Sequence, residues 1–258
     1  MNRTFPILFV GHGSPMNAIE TSRYREGWKQ MGLRLGKPSL ILAVSAHWST
    51  HGQKVSAADP NQTIYDMYGF PQELYEIRYA PAGSPETARR IASAIRSVSV
   101  DESRGIDHGI WSVLSNMYPE ADIPVVMISV NADASPMEQY QFGQALAAFR
   151  EPGTLILASG NAVHNLRRLE WENAGGTDWA VSFDSFIKDA VLHQSPMEAV
   201  QYRRRHEAAD LAVPTREHFD PLLIALGAAG SAYRAEAWNE GCELGSISMT
   251  SYLLTPEA

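Results

Sequence analysis

Residues 6–10, PILFV, run straight into residues 11–15, GHGSP, and the fold turns on how that junction is read. Apolar residues in sequence, with no polar alternation, describe a strand covered on both faces. The glycines at 11 and 13 permit a tight turn, but a turn needs no imidazole between them. His12 is therefore a candidate site residue placed where a buried strand ends. Three more apolar runs have the same character: LILAV (40–44), PVVMISV (124–130) and TLILAS (154–159). The first of these leads to His47 in SAHW, and the last leads to His164 in GNAVHN.

Helix-like stretches separate these runs. SPETARRIASAIRSV opens with Ser84 as N-cap, Pro85 at the first helical position and Glu86 in the first turn. SPMEQYQFGQALAAFR repeats the device with Ser135 and Pro136, and DWAVSFDSFIKDAVLH and PTREHFDPLLIALGAA follow. The alternation predicts an α/β fold: one three-layer domain over residues 1–258, with a mixed, mostly parallel central sheet flanked by helices. SAYRAEAW and GSISMTSYLL near the end alternate more and predict one or two edge or antiparallel strands. Residues 51–83, with several Gly, Pro and Tyr, read as a long ordered connection, a kind of segment that often carries function.

With 45% hydrophobic and 19% charged residues, the 258-residue chain has ample material for a soluble core. A net charge of −8 argues against a nucleic-acid partner, which would need clustered Lys and Arg. The RRRH run at 203–206 reads as a solvated face. Cys242 is the single cysteine, which excludes an internal disulfide and a Cys-rich zinc site. No apolar run approaches the length of a membrane span or a signal peptide, so the expected location is the cytoplasm. The sequence does not set the oligomeric state.

The eight histidines carry the chemistry. His12, His47 and His164 follow strands, His108 lies in the turn GIDHGIW, and His218 sits near the start of the helix expected after Pro214. His51, His193 and His206 lie in polar surroundings and read as exposed. Any one loop histidine is more often an ordinary hydrogen-bonding or surface residue than a ligand. Five at turns beside core elements point instead to a shared metal or catalytic site, because ligands of open α/β sheets bind beyond the carboxyl ends of the strands. Imidazoles without thiolates suit Zn, Fe, Cu or Ni, and three protein ligands leave positions open for catalysis. No GxSxG elbow, HExxH helix, P-loop or dinucleotide glycine pattern is present, and Ser14 beside His12 lacks the surroundings of a nucleophile.

FVGHGSPMNAI, VSAHWST, TIYDMYGFPQELYEIRY, GIDHGIW, MYPEADIPVVMISV, ASGNAVHNLR, PTREHFDPLL and GSISM resemble, in order, the DOPA extradiol dioxygenase family of the class III extradiol ring-cleavage dioxygenases. The resemblance spans about residues 7–250. It implies a mononuclear non-haem metal at the sheet rim, with His12, His47 and His218 as ligands. It further implies His164 as catalytic base or fourth ligand, and His108 in the pocket. Arg216 stands where a proline is usual in the PTPEHF block, and YAPAGSP (79–85) reorders the usual YPAPGSP; both bear on substrate identity. Glu217 is a carboxylate beside His218, and non-haem iron sites often take one. Adjacent helical residues diverge by about 100°, so one of the two is expected to reach the ion, and the resemblance favours His218.

The expected reaction inserts O2 into a catechol, DOPA-like or otherwise phenolic. Fe(II) is the expected cofactor for activity, and Zn(II) suits the same cage without supporting electron transfer. Three neutral imidazoles leave a dication's charge uncompensated, which favours a catecholate. His164 is the candidate base for the second hydroxyl, and His108 a hydrogen-bond donor where negative charge develops on oxygen. Tyr65, Tyr68, Phe70, Tyr75 and Tyr79 either wall a flat phenolic ring or pin a long loop. Trp48 and Trp111 either shield the pocket or fill the core. The alternatives to a dioxygenase are a zinc-dependent hydrolase and a non-catalytic metal-binding protein of the same fold.

Overall fold

Four apolar runs become four neighbouring strands at the centre of one sheet. The computed structural model describes residues 4–257. Its strands are β1 (Ile7–Gly11), β2 (Leu40–Thr50), β3 (Gln53–Ser56), β4 (Val98–Asp101), β5 (Val125–Asn131), β6 (Thr154–Gly160), β7 (Tyr233–Trp238), β8 (Cys242–Glu243), β9 (Ile247–Ser248) and β10 (Ser251–Pro256). The α-helices are α1 (Arg23–Leu35), α2 (Gln72–Glu76), α3 (Pro85–Ala94), α4 (His108–Met117), α5 (Pro136–Leu146), α6 (Asp178–Leu192), α7 (Pro196–Val200), α8 (Tyr202–Arg205), α9 (Ala209–Ala212) and α10 (Asp220–Ala229).

Among the described residues the main sheet has the order β4-β3-β5-β2-β6-β1-β10-β7. The central pairs β5–β2, β2–β6 and β6–β1 are parallel. β10 pairs antiparallel with both β1 and β7, so the alternating C-terminal segments supply the antiparallel end of a mixed sheet. Successive residues of each central strand enter different cores. Ile7, Phe9, Leu42 and Val44 pack on one side with α5, α6 and α10. Leu8, Val10, Ile41 and Ala43 pack on the other with α1 and α4. Two buried faces explain why these strands carry no polar alternation.

Helix starts follow local chemistry. Ser135 accepts from the Glu138 backbone N–H while the Glu138 carboxylate accepts from the Ser135 N–H, a complete capping box. Ser84 occupies the N-cap position of α3, but its hydroxyl donates to Thr87 Oγ1 instead of capping the backbone.

Several expectations require correction. β2 does not end at residue 44: it continues to Thr50 past a register shift between Val44 and Ser49, so His47 lies within the strand rather than after it. The 51–83 connection contains β3 and α2, elements too short for periodicity to reveal. The last long helix begins at Asp220, not near Pro214. Glu217 and His218 therefore sit on the preceding turn, and the helical divergence that would separate them does not apply. His206 is half-buried and packs beside Phe183 and Phe186 rather than in solvent.

Candidate metal centre

Because β1, β6 and β2 are adjacent and parallel, their carboxyl ends share one rim. His12 follows β1 at once, and its backbone N–H extends the ladder to Gly160 O at 3.2 Å. Gly13 turns the chain away with φ +59, a conformation that glycine adopts without cost. His47 reaches the rim from the extended part of β2, and His164 follows the end of β6. His218 arrives on the 214–219 turn, whose carbonyl at His218 accepts from Asn161 N–H at 2.8 Å. That turn lies directly on β6, since a Cβ added at Gly160 would sit 2.1 Å from His218 O. His108 opens α4 behind the same rim.

The five rings form one cluster. His12 and His47 have centroids 5.0 Å apart, and His218 lies 5.4 Å and 4.9 Å from them. With metal–nitrogen distances of about 2.0–2.1 Å, rings sharing one ion stand roughly 5 Å apart. His108 is 3.9 Å from the His47 ring, and His164 stacks on His218 at 3.5 Å with planes 7° apart. By ligand atoms the cluster divides into His12–His47–His108 and His164–Glu217–His218, each with its donors within 4.8 Å of one another. His108 thus groups with His12 and His47 by its donor atoms, with its ring centroid 5.8 Å from that of His12. Glu217, on the same turn as His218, joins the second set with its carboxylate 3.3 Å from His218 Nδ1.

Hydrogen bonds fix where the protons sit. The Ser159 hydroxyl donates to Gly109 O at 2.5 Å, so it must accept the 2.8 Å bond from His12 Nδ1–H. The neutral His12 ring then carries a lone pair on Nε2. That atom faces His47 Nε2 at 3.1 Å. Asp66 accepts from His108 Nδ1 and from the His108 backbone N–H, at 2.9 Å and 3.0 Å, and stands 3.3 Å from His47 Nδ1. With Nδ1–H engaged, a neutral His108 presents Nε2 as an acceptor, and donation from it requires the doubly protonated ring.

Burial, and then the neighbouring imidazoles, holds His12 and His218 well below the ordinary histidine value. The same causes act on His164, opposed in part by Glu217. His47 falls to about 4, by burial and His108 against Asp107 and Asp66. Burial would raise the Asp66 carboxyl, but the His108 bonds and charge bring it to about 2. At neutral pH the site therefore combines an anionic Asp66 with unprotonated His12, His47, His164 and His218. Buried His218 Nε2 has no hydrogen-bond partner. Convergent lone pairs and an orphaned buried nitrogen are the donor set a divalent cation requires, so the residues fit a metal ion.

The aromatic segment divides. Tyr79 is buried and donates to Tyr118 O, so it belongs to the core. Tyr65 donates to Ile77 O, and Tyr75 donates to Met67 O. Tyr68 is 92% exposed. Trp111 is wholly buried and donates from Nε1 to Ile64 O, which ties this loop to α4. Trp48 packs under the Arg104 guanidinium. Loop pinning accounts for most of these contacts. Sequence reasoning missed Asp66 and Ser159, since a lone acid among tyrosines and a serine ending a strand carry no spacing signal.

Residues 7–255 match the family described as the catalytic LigB subunit of aromatic ring-opening dioxygenase. The 4,5-DOPA dioxygenase extradiol of Escherichia coli K12 is 42% identical, covering 95% of this chain and 93% of its own. That of Beta vulgaris is 41% identical over 96% of each. The crystal structure of an uncharacterized Escherichia coli K12 protein superposes with TM-score 0.82 at 38% identity, covering 96% of this chain and 98% of that one.

Proposed function

The chain belongs to the family of catalytic subunits of aromatic ring-opening dioxygenases, and from that membership we propose an extradiol dioxygenase that inserts O2 into a catechol beside its diol. It is an oxidoreductase with a small aromatic substrate. The names of the two relatives, both 4,5-DOPA dioxygenases, make DOPA the first substrate to try. The observation that carries the reading is the pair of Nε2 atoms 3.1 Å apart, on His12 and His47, within a five-ring cluster in which burial keeps His12, His47, His164 and His218 unprotonated at neutral pH.

His12 and His47 would hold the metal, with His218 as third ligand as the family resemblance implies. His218's orphaned Nε2 supports that choice, and the close grouping of His108 with the first two makes it the competing third ligand. Bound Fe(II) would accept the catecholate and carry electrons from the ring to O2, a role Zn(II) in the same cage cannot fill. His164 serves as the base for the second hydroxyl: burial keeps it unprotonated at neutral pH, and stacking on His218 holds it at the site. Asp66 orients His47 and His108, and would balance charge on His108 if that ring takes up a proton. Among the described residues no helix is long and apolar enough to cross a membrane, and we place the enzyme in the cytoplasm.

The test is anaerobic loading with Fe(II), then DOPA and air. Oxygen uptake matched mole for mole by a yellow ring-fission product supports the proposal. No oxygen uptake by the Fe(II)-loaded protein, with hydrolysis of esters by the Zn(II) form, would sink it. His164→Ala should retain metal and lose turnover. Comparing metal content of His218→Ala and His108→Ala identifies the third ligand.

A further inference from the structure

One carboxylate serves two rings of this site from outside the cluster. Asp66 Oδ1 accepts both the ring Nδ1–H and the backbone N–H of His108, at 2.9 Å and 3.0 Å, while Oδ2 stands 3.3 Å from His47 Nδ1. The loop that presents it is fixed. Ile64 N–H donates to Ile106 O, Ile106 N–H to Gln62 O, and Trp111 Nε1–H to Ile64 O. Thr63 Oγ1 donates to Tyr79 O.

We propose that Asp66 is a positioning residue that locks His47 and His108 in the Nδ1–H tautomer and so turns both Nε2 lone pairs into the cluster. A carboxylate only accepts hydrogen bonds, and a neutral imidazole has one N–H to give. The His108 hydrogen bond therefore places its proton on Nδ1, and the 3.3 Å approach of Asp66 Oδ2 to His47 Nδ1 assigns His47 the same tautomer. Ser159 imposes the same tautomer on His12 through its committed hydroxyl. His12 Nε2 and His47 Nε2 stand 3.1 Å apart, and with His47 in this tautomer that contact holds no proton. Such a pair repels until a cation enters, so Asp66 keeps the site from closing on an internal hydrogen bond. The metal consequence rests on the proposed function, whereas the tautomers do not.

Asp66→Asn separates these ideas. The His108 backbone N–H and ring both claim an acceptor at Oδ1, so the amide oxygen stays there and the NH2 faces His47. His47 must then accept at Nδ1 and carry its proton on Nε2, where it donates to His12 and occupies the metal position. Ring ¹⁵N shifts of the metal-free protein report each tautomer, and chelator competition reports Zn(II) affinity. Wild-type His47 and His108 should both be Nδ1–H. In Asp66→Asn, His47 should switch to Nε2–H and Zn(II) should bind about 10–100-fold more weakly. A wild-type His47 or His108 carrying its proton on Nε2 overturns the proposal, and this readout stands even if the variant fails to fold. A folded Asp66→Asn with unchanged His47 tautomer and affinity also overturns it. Wild-type tautomers as stated, with no Zn(II) or Fe(II) bound, would refute the metal-dependent function while leaving the tautomer assignment intact.

Discussion

Gly160→Ala probes the contact that brings His218 to the rim. The new methyl would lie 2.1 Å from His218 O and 3.3 Å from Pro221 Cγ. The obstacle at His218 is backbone, so no side-chain rotation relieves it, and the 214–219 turn must retreat by roughly 1 Å to reach an ordinary contact. Overpacking of this kind costs about 1–3 kcal/mol. Stretching the Asn161 N–H bond to His218 O, now 2.8 Å, costs about 1 kcal/mol more. The sum of about 2–4 kcal/mol corresponds to a drop in Tm of roughly 5–15 °C for a chain of this size. The same retreat displaces His218, so Zn(II) affinity should fall by about tenfold or more. Circular-dichroism melts of the metal-free protein and chelator competition measure the two effects. Gly175→Ala is the control: its added methyl meets only Asn173 Oδ1, at 3.6 Å, so it should change stability by less than about 0.5 kcal/mol. A Gly160→Ala protein melting within about 2 °C of wild type with unchanged affinity would refute the packing of the turn on β6.

Ser159→Ala should lose about 1–3 kcal/mol in urea denaturation, because His12 Nδ1–H and Gly109 O both lose their buried partner; an unchanged midpoint would contradict the tautomer deduced for His12. Zn(II) at 100 times its Kd should stabilise the protein by about 2.7 kcal/mol, seen as a rise in Tm of roughly 5–11 °C that EDTA reverses, and no shift would argue against the metal centre. Alkaline pH should destabilise the fold. Burial pushes the Cys242 thiol from its ordinary 9.0 up to about 12, and raises Tyr79, Tyr233 and Tyr252. Stability is thus complete below the unfolded-state values and is lost as pH rises above about 9, at about 1.4 kcal/mol per pH unit for each group. Tyr252→Phe should make the decline in Tm above about pH 10 shallower, and an unaltered slope would contradict the burial of that phenol.

Short-range patterns in the sequence determined much of this protein. PILFV, LILAV, PVVMISV and TLILAS are apolar at every position because two cores, one on each side of the sheet, receive their alternate side chains. Ser135, Pro136 and Glu138 specify a helix start within four residues, because a capping box is complete in itself. Histidines after such strands pointed to a rim site because parallel strands end together. What lay beyond the sequence was set by contacts between distant segments. The Val44–Ser49 register shift carries β2 through His47, and depends on pairing with β5. Where α10 begins decides whether Glu217 and His218 diverge or share a face, and that start is set by a turn docking on Gly160. Asp66 acquires its role only when a loop pinned to Ile106 and Trp111 brings it between two rings from other elements. Periodicity records which face of a strand or helix is buried; it holds no information about which loop carboxylate will meet which imidazole, because that depends on the packing of the whole chain.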